Sequence, residues 1–109
     1  MSSSTIDTRV VVAINVQVTE DTLSVELSDG RTLGVPVAWY PRLSHGTPQE
    51  RGAWRLIGTG GGIHWPDLDE DISVANLLVG LPSGESQTSL KKWLAARDVH
   101  QVSADPVRV

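Results

Sequence analysis

The sequence predicts an α+β fold, a small antiparallel sheet with two or three short helices packed on it. Three observations predict it. β-branched residues alternate with period two between Arg9 and Pro36, Asp-Gly and glycine-rich turns separate strand-length runs, and capping signals at Thr47 and Ser73 open short helices.

The elements follow in order. Val10, Val12, Ile14, Val16 and Val18 fall on one face of a first strand, with Val11, Ala13, Asn15, Gln17 and Thr19 on the other. After a turn at Glu20-Asp21, Leu23, Val25 and Leu27 make a second apolar face. Ser28-Asp29-Gly30 turns the chain into a third strand with Leu33, Val35 and Val37. This three-stranded meander has one apolar face that must be covered. Ala38 to Leu43 reads as irregular or a short helical turn around Pro41. Thr47-Pro48-Gln49-Glu50 reads as a helix start, with Thr as N-cap, Pro at the first position and Glu three residues on. Trp54 to Ile57 and Ile63 to Trp65 read as a second hairpin around Gly58 to Gly62, extending the sheet to about five strands. Asp67 to Asp71 is expected as an acidic loop. Ser73 caps a helix with Val74, Leu77 and Leu78, ended by Gly80, and a last helix runs from about Gln87 to Arg97. The expected organisation is a single domain over residues 9–100, with residues 1–8 and 101–109 as flexible tails.

Composition narrows the function. A net charge of −4 and a pI near 5.2 argue against binding nucleic acid through phosphate contacts. The absence of Cys excludes disulfides, thiolate metal sites and a cysteine nucleophile. No apolar stretch approaches the roughly 20 residues of a membrane span, and the polar start carries no export signal, so the expected location is the cytoplasm.

No constellation of catalytic type stands out, and no cofactor or metal is implied. No Lys follows the glycine run, and a strand succeeds it, so it reads as a hairpin turn rather than a phosphate cradle. Asp67, Asp69 and Asp71 alternate as in a calcium loop, but Ile72 and Leu78 stand where that loop requires Gly and Glu. The acidic charges are expected to favour the N-terminus of the following helix. His64 lies three residues before Asp67, a formal acid-base or metal pair without further ligands nearby in sequence.

The aromatic inventory is four Trp, one Tyr and no Phe. The rings either supply the bulk of the core or form a surface with the nearby arginines. The candidate interaction surface is Trp39, Tyr40, Arg42, Arg51, Trp54, Arg55, His64 and Trp65. The candidate acidic loop of Asp67, Asp69, Glu70 and Asp71 is suited to a basic partner.

Leu27 to Arg31 (LSDGR), then Val35 to Leu43 (VPVAWYPRL), Trp54 to Gly58 (WRLIG), Gly62 to Ser73 (GIHWPDLDEDIS) and Leu77 to Gly80 (LLVG) resemble the bacterial family called domain of unknown function 2442. The resemblance covers roughly residues 11–80. It implies a small α+β fold with no established enzymatic activity and no catalytic residues to transfer. Some members carry an added helix-turn-helix domain, for which this chain has no room after Gly80. Others are encoded beside another small protein in arrangements like toxin–antitoxin pairs. The reading is therefore a non-catalytic protein-interaction or regulatory module, an antitoxin-like partner of another small protein. The alternative is a small ligand- or metal-binding domain or enzyme using His64 and the Asp67/Asp69 loop. A weaker third reading places DNA against Lys91, Lys92 and Arg97 of the last helix. A homodimer is compatible with the exposed strand edge and the amphipathic last helix.

Overall fold

A computed structural model describes the backbone of residues 10–103 and the side chains of residues 10–97. Among these residues, β1 (Ala13–Val18), β2 (Thr22–Leu27) and β3 (Thr32–Pro36) form one three-stranded antiparallel sheet, in that order. A second consists of β4 (Arg55–Ile57), β5 (Gly62–Trp65) and β6 (Glu70–Ser73). The helical pieces are a 3-10 turn at Val37–Trp39, then α1 (Pro41–Ser44), α2 (Pro48–Gly52), α3 (Val74–Leu78) and α4 (Gln87–Ser103).

The fold is α+β, and the second half of the chain differs from the sequence reading in its strands. The second hairpin builds its own sheet instead of extending the first, and its third strand comes from the stretch expected as an acidic loop. A tight turn explains this. Leu68 N–H donates to Trp65 O (3.2 Å), Asp69 adopts φ 51°, and the chain reverses early enough for Glu70 to Ser73 to pair with Gly62 to Trp65. Glu70 and Asp71 are therefore strand residues, and the first turn of α3 contains no acidic residue. Ser73 caps that helix as expected, its hydroxyl accepting from Asn76 N–H at 3.0 Å.

The alternation expected for β1 is interrupted. Its register against β2 shifts between Ala13 and Asn15. A bulge flips the sides on which successive residues fall. Ala13 and Val16 are thus buried, whereas Ile14 is 58% exposed and Val10 73%. β2 has no such interruption, and Leu23, Val25 and Leu27 are all buried as the period requires.

Two close approaches fix the joints. Gly60, at φ 109°, accepts from Ala13 N–H (2.8 Å), so the glycine-rich turn seats against the start of β1 and ties the two sheets together. A Cβ on Gly60 would lie 2.5 Å from Ala13 O, so only glycine fits. At the end of α3, Gly80 (φ 75°) donates to Leu77 O (3.1 Å) and Leu81 to Asn76 O (2.9 Å). This Schellman pattern is the helix stop expected at Gly80. The capping box at Thr47 forms as predicted, Thr47 Oγ1 accepting from Glu50 N–H and Glu50 Oε1 from Thr47 N–H.

One core serves both sheets. Leu23, Val25, Leu27 and Val35 meet Ile63, Trp65 and Ile72, with Tyr40, Leu43, Leu68, Val74 and Leu77 closing the sides. The last helix runs to Ser103, into the segment expected as a tail. The expected tail at residues 1–8 lies outside the described residues, as does the remainder of the C-terminal one.

Candidate functional site

Strand periodicity places the most unusual side chain in the molecule. Glu70 pairs with the buried Trp65 across β5/β6 and stands two residues before Ile72, which faces the core. Period two therefore puts Glu70 on the inner side, while Asp71 turns outward beside His64. At the end of its strand, Glu70 reaches the mouth of a groove of about 470 Å³ rather than the closed interior. Tyr40, Arg42, Ser73, Asn76 and Glu85 line that groove with it. Burial pushes the Glu70 carboxyl up to about 7; Arg42 pulls it back in part, and the Glu85 charge adds to the rise.

Arg42 crosses the groove from α1. Its Nε and Nη2 donate to Glu85 (2.9 and 2.6 Å), and Nη1 donates to Asp69 O (2.9 Å). The two charged side chains are 15% and 8% exposed. The bidentate contact from Arg42 holds the Glu85 carboxyl below its ordinary range, and the Ser89 hydroxyl adds a bond at 2.8 Å. The Tyr40 hydroxyl donates to Leu81 O (3.0 Å), and burial, then the Glu70 charge, push it up. Asp69, Glu70 and Glu85 thus share one groove with Arg42, whose guanidinium is committed to Glu85 and touches the Asp69 carboxylate at 3.5 Å, while Asp71 at the rim is turned to His64. The net negative charge left over suits a cationic group that donates hydrogen bonds, an ammonium or a guanidinium.

The structure divides the candidate interaction surface. Arg51 and Trp65 are buried and belong to the interior, so they do not form a surface, and Tyr40 is buried too but lines the groove. With no Phe in the chain, Trp65 fills the centre of the core, and its indole N–H donates to Arg51 O (2.9 Å). Arg51 in turn donates to two carbonyls at the end of α1, Leu43 O (3.0 Å), which also accepts from Gly46 N–H, and Ser44 O (3.2 Å). Trp39 and Trp54 are half-buried against the core, and Arg55 is exposed.

His64 finds a different carboxylate from the one its sequence spacing suggested. Asp71 faces it across β5/β6 and hydrogen-bonds Nδ1, whereas Asp67 lies in the turn beyond Trp65. Arg55 is its neighbour on β4, so Arg55, His64 and Asp71 form a row across the outer face of the second sheet. Leu56, Ile57 and Gly58 complete a shallow depression there. Among the described residues, no group of three or more His, Asp or Glu is placed to hold a metal ion. Of the helix residues weighed for DNA, Lys91 and Lys92 are exposed, while Arg97 is committed to Glu50 at 2.9 Å.

Glu85, Ser89 and Asn76 went unmarked in the sequence. Reading Glu70 to Ser73 as a strand would have turned Glu70 inward. Nothing local joins Arg42 to Glu85, which the fold brings together from 43 positions apart.

The comparisons with known proteins agree with this fold. A family model described as a protein of unknown function (DUF2442) matches residues 13–83. Among curated proteins, none matches the sequence. A crystal structure of a protein of unknown function from Rhodospirillum rubrum is similar, with 23% identity and TM-score 0.63, covering 72% of this chain and 98% of that one. A solution structure of an uncharacterised protein from Chromobacterium violaceum is similar at 21% identity and TM-score 0.59, covering 88% and 83% respectively. At these identities the likeness concerns the fold.

Proposed function

The chain belongs to the DUF2442 family of proteins of unknown function, and we propose that it is a non-catalytic interaction module whose groove at Tyr40, Arg42 and Glu70 receives a basic segment of a partner protein. The observation that carries this reading is the charge balance of the groove. Asp69 and Glu70 face one side, the Asp71 carboxylate at the rim turns to His64, and Glu85 has already taken Arg42, the one cation lining the groove among the described residues. A lysine or arginine entering beside Glu70 recovers the desolvation that the carboxylate suffers alone. The non-catalytic part of the reading is supported by geometry. His64 with Asp71 lies on the outer face of β5/β6 and Glu70 on the inner one, so the imidazole and the desolvated carboxyl do not converge on one reacting atom. The narrower form is a regulatory, antitoxin-like partner of another small protein in the cytoplasm. That form rests on the family resemblance and on the acidic groove. Among the described residues no helix is long and apolar enough to cross a membrane.

The test is titration of the full chain with a short lysine- and arginine-rich peptide, followed by amide chemical shifts. Shifts should centre on Asp69 to Ser73 and Tyr40 to Arg42, and affinity should fall with salt. Glu70→Gln and Asp69→Asn should each weaken binding about five- to tenfold. Binding that survives both substitutions unchanged would remove the groove from the reading, and absence of binding would remove the basic partner.

One observation favours a second reading, a small-ligand site on the Arg55–His64–Asp71 row. Asp71 engages Nδ1 of the imidazole, and His64 lines the shallow depression. A panel of small anions titrated while the amide signals of Arg55 to Gly58 are followed decides it; His64→Gln should abolish any response there, and a response that persists would remove His64 from the site.

A further inference from the structure

One wall of the groove stands outside the packed domain. We infer that α4 with Glu85 is a latch, docked by charge and stacking rather than by apolar burial, and that docking keeps the groove acidic. The second clause rests on the proposed function; the first does not.

The fully packed core ends at Leu77, and of the described α4 residues only Trp93 packs against it, half-buried. The family match ends at residue 83, just before the latch begins. What holds α4 is polar at both ends. Near its start, Glu85 accepts from Arg42 of α1; farther along, Arg97 donates from Nη2 and Nη1 to Glu50 of α2 (2.9 and 3.2 Å). The domain offers one cation and one anion, and the latch returns the complementary pair. Both guanidinium groups stand over the Trp93 ring, with Arg42 Cζ 5.1 Å and Arg97 Cζ 4.7 Å from its centroid. Arg97 is four residues from Trp93 on the same helix, so that stack forms whether or not α4 is docked. The Arg42 stack forms only on docking. Leu81 and Ser83 are held to the domain, Leu81 O by the Tyr40 hydroxyl and Ser83 N–H by Trp39 O (both 3.0 Å), so the hinge falls just after them, at Gly84 to Ser86, which has no regular structure.

The consequence for the groove follows from the guanidinium. While α4 is docked, Glu85 holds Arg42, and the Glu70 charge is left for a partner. When α4 leaves, Glu85 goes with it, and Arg42, which while docked already touches the Asp69 carboxylate at 3.5 Å, is free to turn further toward it and toward Glu70 in the same groove. Docking of the helix and binding of a basic segment are then linked, each favouring the other.

Native-state amide exchange on the full chain tests the latch. The middle amides of α4, Lys91 to Ala96, should exchange at least about 100-fold faster than Leu23 and Val25 of β2, through an opening that spares the sheets. Glu50→Gln should speed that exchange about fivefold, and so should raising NaCl from about 0.05 to about 0.5 M. Equal protection of α4 and β2, indifference to both salt and substitution, or loss of β2 protection in Glu50→Gln would each overturn the latch. Glu50 lies outside the groove, so its effect on basic-peptide affinity tests the link: Glu50→Gln should weaken the peptide about threefold. A latch that opens as expected while a peptide that binds wild type is unaffected retains the latch and discards the link. Absence of peptide binding to wild type discards the groove reading alone.

Discussion

The two sheets bury side chains by the same rule and end differently. In the first, every inward position of β2 is aliphatic, and the polar residues Ser24 and Glu26 alternate with them toward solvent. In the second, Ile63, Trp65 and Ile72 are equally buried, but the same inner face ends in Glu70. Both sheets therefore contribute to one core, and the second also contributes a groove. The difference teaches where to look for function in a small domain: at the point where a strand's own periodicity carries a charged residue inward and nothing neutralises it.

The largest expected effects test whether the sheets share one core. Leu23→Ala should destabilise by about 2–5 kcal/mol and Trp65→Ala by about 3–5 kcal/mol, measured by chemical unfolding. Trp65 also loses its bond to Arg51 O, so it should be the costlier of the two. A cost for Trp65→Ala below about 1 kcal/mol would separate the second sheet from the core. The joint between the sheets comes next. Gly60→Ala forces a Cβ to 2.5 Å from Ala13 O at a φ of 109°, and should cost about 2–3 kcal/mol. Its neighbour is the control: nothing lies within 4 Å of a Cβ on Gly61, so Gly61→Ala should change stability by less than about 0.5 kcal/mol.

The same two sheets show what a sequence can reveal. β2 and β3, the turn at Asp29-Gly30, the capping box at Thr47 and the stop at Gly80 were all legible, because each depends on residues within a few positions of one another. The bulge in β1 was not, because it is set by the approach of Gly60 from the other sheet. β6 was masked by its charges, although Glu70 to Ser73 obeys strand periodicity. The groove was half legible. Arg42, Asp69, Glu70 and Asp71 were marked for charge, but their convergence with Glu85 exists only in the fold. That Tyr40, Arg51 and Trp65 are buried is not legible, because composition does not say which way a side chain faces.

Titration separates the sheets at a finer scale. Glu70 has a folded pKa of about 7 against an ordinary 4.5, so the folded chain holds its proton more tightly than the unfolded chain does. Between those values stability is lost as pH rises. Glu70→Gln should therefore stabilise the protein by about 1–2 kcal/mol at pH 8, allowing for solvent screening at the groove mouth, and leave it unchanged near pH 4. Glu50 and Glu85 run the opposite way. Arg97 and Arg42 hold their carboxyls below 4.5, so the latch contacts weaken as pH falls below that value. Thermal unfolding of wild type and Glu70→Gln across pH 4 to 8 checks the sign. A stabilisation that is the same at both ends would show that Glu70 is not desolvated.

The smallest expected effect concerns the strand whose faces the sequence misassigned. Uninterrupted alternation would put Ile14 and Val16 on one buried face, and substituting either by Thr would then cost about the same. With the bulge, Ile14 is 58% exposed and Val16 5%. Ile14→Thr moves an exposed β-branched residue to another with similar strand preference, and should change stability by less than about 0.5 kcal/mol. Val16→Thr places a hydroxyl against Leu and Val side chains and should cost about 1–3 kcal/mol. The ratio of the two, read from unfolding midpoints at constant slope, reports the register of β1 directly. Equal costs would restore the unbroken strand. They would also remove the reason Ala13, rather than Ile14, lies buried where Gly60 joins the second sheet to the first.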